Sequence, residues 1–298
     1  MKRLDFVLPE FFRFMWTGES AKAAWEPRVL AVSNAVRELE WLTVENDVRP
    51  CGMAEFYPED LSRQSPNWIK RSLESILLAQ GARTCSTYQL ASPPRAPGSP
   101  SCCVMGFAKK KKHAHALAEA FRSGNSEAMG KLLGYPDCCI DFFLQMCGRL
   151  GHIDTTWPMA CASSDTLQTS GDVDTIRVSR PSPVNILLRG LGVRAVLHFP
   201  CGFGCSKSLE FSERLIAVGR AEGFAQEMEW LCEMLCWPME WSALHGIAEI
   251  RTPVLKCCLS TDATPTLYRV LVEGSAVPKE AAKGIGHPYK NRVNGKRA

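Results

Sequence analysis

Two cysteine-bearing motifs hold the side chains best suited to chemistry: Gly134-Tyr135-Pro136-Asp137-Cys138-Cys139 and His198-Phe199-Pro200-Cys201-Gly202-Phe203-Gly204-Cys205. Each contains a proline just ahead of its cysteines, where a helix is expected to begin. A helix N-terminus carries free N–H groups and a partial positive charge, so it favours thiolate over thiol. Thiolates bind metals and attack electrophiles. Two such sites, 60 to 70 residues apart in the chain, form one centre only if the fold brings them together. The spatial expectation is that Cys138 or Cys139 lies within ligand-sharing reach of Cys201 and Cys205.

Adjacent residues on a helix point about 100° apart. Cys138 and Cys139 therefore make a poor disulfide with each other. Both can reach a multinuclear cluster, or one can ligate while the other packs. Cys201 and Cys205 have C-x3-C spacing, wider than the C-x2-C zinc knuckle. Gly202 and Gly204 let backbone approach a bound group closely and can turn N–H groups toward sulfur or an anion. They are the candidate cofactor-binding positions. His198 lies three residues before Cys201 and reads as a ligand, a base beside a thiolate or a buried imidazole.

Further polar candidates lie among aromatics. Asp154 opens Asp154-Thr155-Thr156-Trp157-Pro158, and Glu240 sits in Trp237-Pro238-Met239-Glu240-Trp241-Ser242. His245 and Glu249 converge if that stretch is helical. Carboxylates beside aromatics suit a small-molecule pocket, and equally an interface between lobes. His198, Asp154, Glu240 and His245 are thus the candidates for positioning substrate or moving protons. Cys232 and Cys236, Cys257-Cys258 and Cys102-Cys103 read as packing residues.

Composition bounds these readings. The chain has 298 residues, 46% of them hydrophobic and 22% charged, as in an ordinary globular protein. The net charge is only +4, and much of the excess lies in Lys109 to Lys112 and in Lys290, Arg292, Lys296 and Arg297. A dedicated nucleic-acid binder shows a broader basic face. The start, Met1-Lys2-Arg3-Leu4-Asp5, reaches Glu10 and Arg13 before any apolar run resembles a leader. No run of about 18 apolar residues predicts a membrane span. A cytoplasmic location is expected, where structural disulfides are rare. Fourteen cysteines in that compartment argue for metal, redox or sulfur chemistry.

The elements that must position these side chains are predicted as follows. Residues 20–45 have helical periodicity, with Val29, Val32, Val36 and Leu39 on one face, and Trp68 to Leu78 reads as a second helix. Residues 92–101 form a Pro/Ser loop. Cys102 to Phe107 reads as a strand, followed by helices over Lys109–Phe121, Ser126–Leu133 and from Pro136 to about Gly148. Residues 161–182 read as loop and Val193–His198 as a buried strand. It leads into a helix from Ser206, its expected N-cap, to Gly219. Glu227–Cys236 is helical. Ile247–Cys258 and Thr266–Val272 read as strands, with Pro253 as a break. The expected organisation is a mainly helical region over 1–91, the loop 92–101, a core over 102–276 carrying the cysteine motifs, and a flexible basic tail over 277–298. The class is α/β or α+β, a mixed sheet flanked by helices in one large domain or two closely packed lobes.

The chain contains no P-loop, no G-x-G-x-x-G and no H-E-x-x-H. The C-x3-C-x2-C pattern of radical-SAM enzymes is incomplete, because Cys205 is followed by Ser206, Lys207 and Ser208. The segment Lys131-Leu132-Leu133-Gly134-Tyr135-Pro136-x-Cys138-Cys139-x-x-Phe142-Phe143 resembles an uncharacterised prokaryotic family of unknown function marked by L-G-Y-P-x-C-C. That resemblance implies importance for Cys138 and Cys139 and implies no reaction.

The leading expectation is an iron–sulfur enzyme acting on a small molecule. Cys138, Cys139, Cys201 and Cys205 would hold a [4Fe–4S] cluster, with one iron left open when three of them ligate. Zinc is the alternative metal. The competing readings are a cofactor-free thiol enzyme for sulfur transfer or disulfide exchange, and a non-enzymatic, zinc-stabilised interaction or RNA-binding module.

Overall fold

A computed structural model describes residues 12–56, 73–81, 102–163, 167–179 and 183–281. Among these residues the fold is α+β, with a seven-stranded mixed sheet, a separate three-stranded sheet and seven α-helices. The large sheet runs β1 (Phe12–Trp16), β9 (Leu255–Ser260), β8 (Ile247–Arg251), β7 (Met239–Leu244), β10 (Leu267–Val272), β6 (Val173–Val178) and β5 (Leu167–Ser170). Only β10 and β6 pair in parallel, with Val270 opposite Ile176. The small sheet is antiparallel, in the order β2 (Cys51–Phe56), β4 (Cys102–Ala108), β3 (Glu74–Gly81).

Helix α1 (Glu19–Glu45) anchors the molecule. Its Trp25, Val29, Val32, Val36 and Leu39 recur every three or four residues and are at most 2% exposed. One stripe of the helix therefore faces the core. Trp25 meets Trp237 edge-on with ring centroids 4.7 Å apart. α1 packs on α6 (Ser206–Ala221) and α7 (Ala225–Leu235). On the small sheet's side, α2 (Lys111–Arg122), α3 (Ser126–Leu132) and α4 (Asp137–Phe143) follow in quick succession. Gly124, at φ 66°, turns the chain after α2. Asn125 then caps α3, its side chain accepting from the Ala128 N–H at 3.0 Å. α4 runs on through a π-helical turn, Leu144–Arg149.

Four expectations are corrected. Trp68–Leu78 is not a helix: Glu74–Gly81 is strand β3, while residues 68–72 lie outside the described residues. A short apolar run such as Ile76-Leu77-Leu78 fits either period, and pairing with β4 decides it. Residues 161–182 are not loop. They contain the end of α5 (Thr156–Ser163) and the hairpin β5–β6, turned at Gly171 with φ 59°. β5 is an edge strand exposed at all four residues, so it shows no alternation. Val193–His198 is not a strand. It is an irregular run reached through a 3-10 turn at Arg189–Leu191, and five of its six residues are buried. Burial on all sides demands the apolar composition of a central strand without supplying a ladder. The N-cap of α6 is Cys205 rather than Ser206.

The Pro/Ser stretch 92–101 and the tail beyond Ala281 lie outside the described residues. Residues 12–81 supply β1, β2 and β3 beside α1, and β1 joins the large sheet through β9, with Phe14 opposite Cys257.

The L-G-Y-P stretch is set by one glycine. Gly134 has φ 72°, and a Cβ there would lie 2.7 Å from Arg49 Cβ. Left-handed backbone costs a side-chain-bearing residue about 1–2 kcal/mol, and overpacking about 1–3 more. Gly124, equally left-handed, has nothing within 4 Å of such an atom. Gly134→Ala is therefore expected to lose about 3 kcal/mol, and Gly124→Ala about 1 kcal/mol. Thermal unfolding of the two variants checks this, and equal midpoints would contradict the packing argument.

Candidate metal centre

Each motif residue places the next. Leu133 is buried against Cys51, Ala108, Ala114 and Leu117. Gly134 reverses the chain against Arg49. The Tyr135 hydroxyl then donates to the Leu197 carbonyl at 2.9 Å. Pro136, extended at φ −61° and ψ 138°, stands at the N-cap of α4, and its carbonyl accepts from the Cys139 and Ile140 N–H groups. Its ring pre-sets the φ and no donor is wasted there. Cys138 is thus left exposed and Cys139 buried on the first turn.

The second motif arrives along the irregular run. Its turn is closed by the Cys205 N–H donating to the Gly202 carbonyl at 3.2 Å. Gly202 packs on α5: a Cβ there would meet Ser163 Oγ at 2.8 Å. The same hydroxyl accepts the Phe203 N–H at 2.5 Å. Gly202 thus seats the turn on a helix. Gly204 has open space around it. Neither glycine has a sulfur among the atoms its missing Cβ would touch.

The two motifs meet. The Sγ atoms of Cys138, Cys139, Cys201 and Cys205 all lie within 4.8 Å of one another, and together they can hold a metal ion. Cys138–Cys139, Cys138–Cys205 and Cys139–Cys205 are separated by 3.9, 3.8 and 3.7 Å. These are non-bonded separations, well beyond a disulfide's S–S length.

Burial and hydrogen bonding split the protonation of Cys139, Cys201 and Cys205. Burial pushes the Cys139 thiol far above its ordinary range, against the opposing pull of the Ser208 hydroxyl and the Cys201 backbone N–H. Burial, then the neighbouring Cys205, raises Cys201 to about 12. Cys205 is also disfavoured as thiolate by burial, but the hydroxyl and backbone N–H of Ser208 outweigh this and bring it down to about 7. Without metal, Cys205 at neutral pH is partly ionised while Cys139 and Cys201 are thiols. A thiophilic cation displaces the remaining protons.

Ser208 is the key polar neighbour. Its Oγ is 3.2 Å from Cys139 Sγ and 2.8 Å from His198 Nε2. His198 is 9% exposed, and its Nδ1 has no hydrogen-bond partner. Burial, then the charge of Arg49, holds its pKa down to about 3, so the ring is neutral. With its proton on Nε2, the ring donates to Ser208 and leaves only a lone pair unpaired at Nδ1. The opposite tautomer would bury an unpaired N–H. Ser208 can then turn its own proton to sulfur. Tyr135 and Phe211 flank the imidazole at ring separations of 5.1 and 5.4 Å. His198 thus acts on the sulfurs through Ser208.

The other candidates lie elsewhere. Asp154 is 1% exposed. It accepts from the Thr156 hydroxyl at 2.6 Å, the Trp241 indole at 3.2 Å and the Thr261 hydroxyl at 2.9 Å. Its lone pairs are spent on holding the core together. Glu240 lies on β7 opposite Arg251 and forms an ion pair with Arg269 at 2.9 Å. His245 is not helical: it sits exposed at φ 50° in the β7–β8 turn, and Glu249 on β8 pairs with Arg251. No i, i+4 convergence exists there.

Ser208, Tyr135 and two arginines escaped sequence reasoning. For Ser208 the signal was present: it occupies the third position of a C-x3-C-x2-C spacing, with serine where the third cysteine would stand. Tyr135, Cys139 and His198 also line a cavity of about 360 Å³, with Arg189 and Arg194 in its wall. No family model, no curated protein and no solved structure matches this chain.

In metal-stripped protein, iodoacetamide is expected to label Cys205 with a midpoint near pH 7. Cys139 and Cys201 should label only at strongly alkaline pH. Ser208→Ala should move the Cys205 midpoint upward, as peptide mass spectrometry across a pH series will record.

Proposed function

We propose that this chain is a metalloprotein in which Cys138, Cys139, Cys201 and Cys205 together hold a single thiophilic ion, zinc first and iron in the same geometry second. The observation that carries this reading is the sulfur spacing. Four thiolates about 2.3 Å from one tetrahedral ion stand about 3.8 Å apart along each edge. Three of the separations here are 3.7, 3.8 and 3.9 Å. On a [4Fe–4S] cluster each thiolate binds a different iron at a different corner, so its four sulfurs are spread more widely. Loading a cubane here requires the α4 start and the 201–205 turn to move apart.

Four protein thiolates fill a tetrahedral ion's coordination sphere, as structural zinc sites do; catalytic sites keep a position open for water or substrate. The ion's work is therefore to fasten α4 to the start of α6, two segments that no strand pairing connects. Its net negative charge is met by Ser208 and by the N-terminus of the 16-residue α6. The fastened junction forms one wall of the 360 Å³ cavity, within the volume range of small-molecule sites. The function supported is that of a metal-stapled protein that binds a small molecule in this cavity.

Protein purified without oxygen is expected to contain one zinc or iron per chain and no acid-labile sulfide. Cys139→Ser and Cys205→Ser should each release most of it, whereas Cys232→Ser should not. Stripping an ion held at 100 times its Kd removes about 2.7 kcal/mol, or roughly 5–10 °C in the unfolding midpoint. Four irons with four sulfides per chain would replace this reading with the cluster.

A further inference from the structure

The cavity's charge is unusual for its lining. Most of the wall is apolar, from Met129, Ile140, Phe143, Ile186, Val196 and Phe199. Arg189 and Arg194 are set into that apolar wall. Arg194 gives one nitrogen to Glu40 at 3.2 Å, while its Nε is buried with no hydrogen-bond partner. Glu40 is already engaged by Arg49 at 2.6 Å. Arg49, whose charge acts on Tyr135 and His198, has its own Nη1 buried and unpartnered. Arg189 stands 3.6 Å from Asp154, whose oxygens accept from Thr156, Trp241 and Thr261, and lies over the Phe199 ring at 5.5 Å. Three guanidiniums thus face two carboxylates that are both otherwise engaged, and His198 adds no charge. At the arginine end of the cavity the surplus is one positive charge, with the Arg194 Nε donor to spare. Leaving a buried guanidinium N–H unpaired is costly, and a ligand oxygen that reached it would recover that cost.

We propose that the cavity binds a monocarboxylate with an apolar body, its carboxylate taken by Arg194 with support from Arg189. One surplus charge matches a monoanion better than a phosphate dianion. Arginine's fixed fork suits a carboxylate's two oxygens. The volume and lining suit an aliphatic or aromatic body of modest size. The thiolates beyond Cys139 repel the same carboxylate, so it is held at the guanidiniums and the apolar body faces Cys139. This assignment rests on the reading of the cavity as a small-molecule site, and it does not depend on which metal the cysteines hold.

Isothermal titration of the metal-loaded full chain with octanoate and with 1-octanol tests it. Octanoate is expected to bind at least tenfold more tightly than the alcohol. Arg194→Gln should abolish that preference, leaving both probes with the alcohol's affinity, and Arg194→Lys should keep part of it. Met129→Trp, which fills the cavity from a half-buried helix position, should block both probes. Each variant is assayed for metal alongside. Equal affinity for acid and alcohol, a preference that survives Arg194→Gln, or binding that survives Met129→Trp would overturn the proposal. A full metal complement in those same samples would leave the metal centre standing. Selective octanoate binding by protein that holds no metal would do the reverse.

Discussion

Four sulfurs within 4.8 Å of one another are the constraint on which the rest of this structure turns. As thiols they are tolerable, and as thiolates they repel at close range in a partly buried site. Burial and mutual repulsion hold Cys139 and Cys201 protonated, whereas Cys205 is stabilised as an anion. A bound cation would reverse the shift at Cys139 and Cys201 and reinforce it at Cys205. On the proposed reading, metal binding at the junction between the start of α4 and the start of α6 would be coupled to its stability.

The chain prepares that junction before any ion arrives. Tyr135 bonds to the Leu197 carbonyl and lays its ring beside His198. Phe143, one helix turn beyond Cys139, stacks on Phe199 with ring planes 17° apart. His198 holds Ser208, and Ser208 reaches Cys139. These contacts cross-brace the two motifs on both sides of the sulfurs. They also explain why an irregular run sits at the centre of a well-packed protein. Residues 193–198 have no ladder, and a side chain from the other motif takes up the Leu197 carbonyl. Unpaired buried backbone of this kind is costly, so the L-G-Y-P stretch is as much a partner for the second motif as a support for Cys138 and Cys139.

Helices with one buried face were legible from sequence. The stripe of α1 and the break between the helices ending at Phe121 and starting at Ser126 are local features, legible in the chain itself. So was the chemistry of the cysteines, because type and spacing are explicit in the chain. Elements whose identity depends on a partner were not legible. Ile76-Leu77-Leu78 becomes a strand only because β4 lies beside it, and residues 193–198 fail to be one because nothing does. Asp154 and Glu240 looked like site residues because carboxylates among aromatics mark pockets and cores alike. Only the geometry shows that Trp241, Thr156 and Thr261 have already satisfied Asp154. The C-x3-C spacing, wider than a knuckle's C-x2-C, says nothing of how closely the sulfurs approach one another. The sulfur separations, 3.7 to 3.9 Å among Cys138, Cys139 and Cys205, depend on the fold that brings the two motifs together.

On the proposed reading, the centre and the cavity would divide the work between them by electrostatics. A fully thiolate-bound divalent ion carries net negative charge and offers no open position, so it neither attracts an anion nor polarises one. The guanidiniums of Arg189 and Arg194 supply the opposite sign in the same cavity wall that contains Cys139. A dipole is thereby built across an apolar space, where charge interactions are screened far less than in water. Its positive end is held open by Glu40 and Asp154, each of which restrains an arginine without saturating it. If Glu40 were free to give both oxygens to Arg194, it would occupy one fork of that guanidinium and compete with a ligand carboxylate for it. Arg49, fully buried and bound to the same carboxylate, prevents this. The residue that keeps Arg194 available is thus the one against which Gly134 packs, and the turn that aims the cysteines also sets the charge of the cavity.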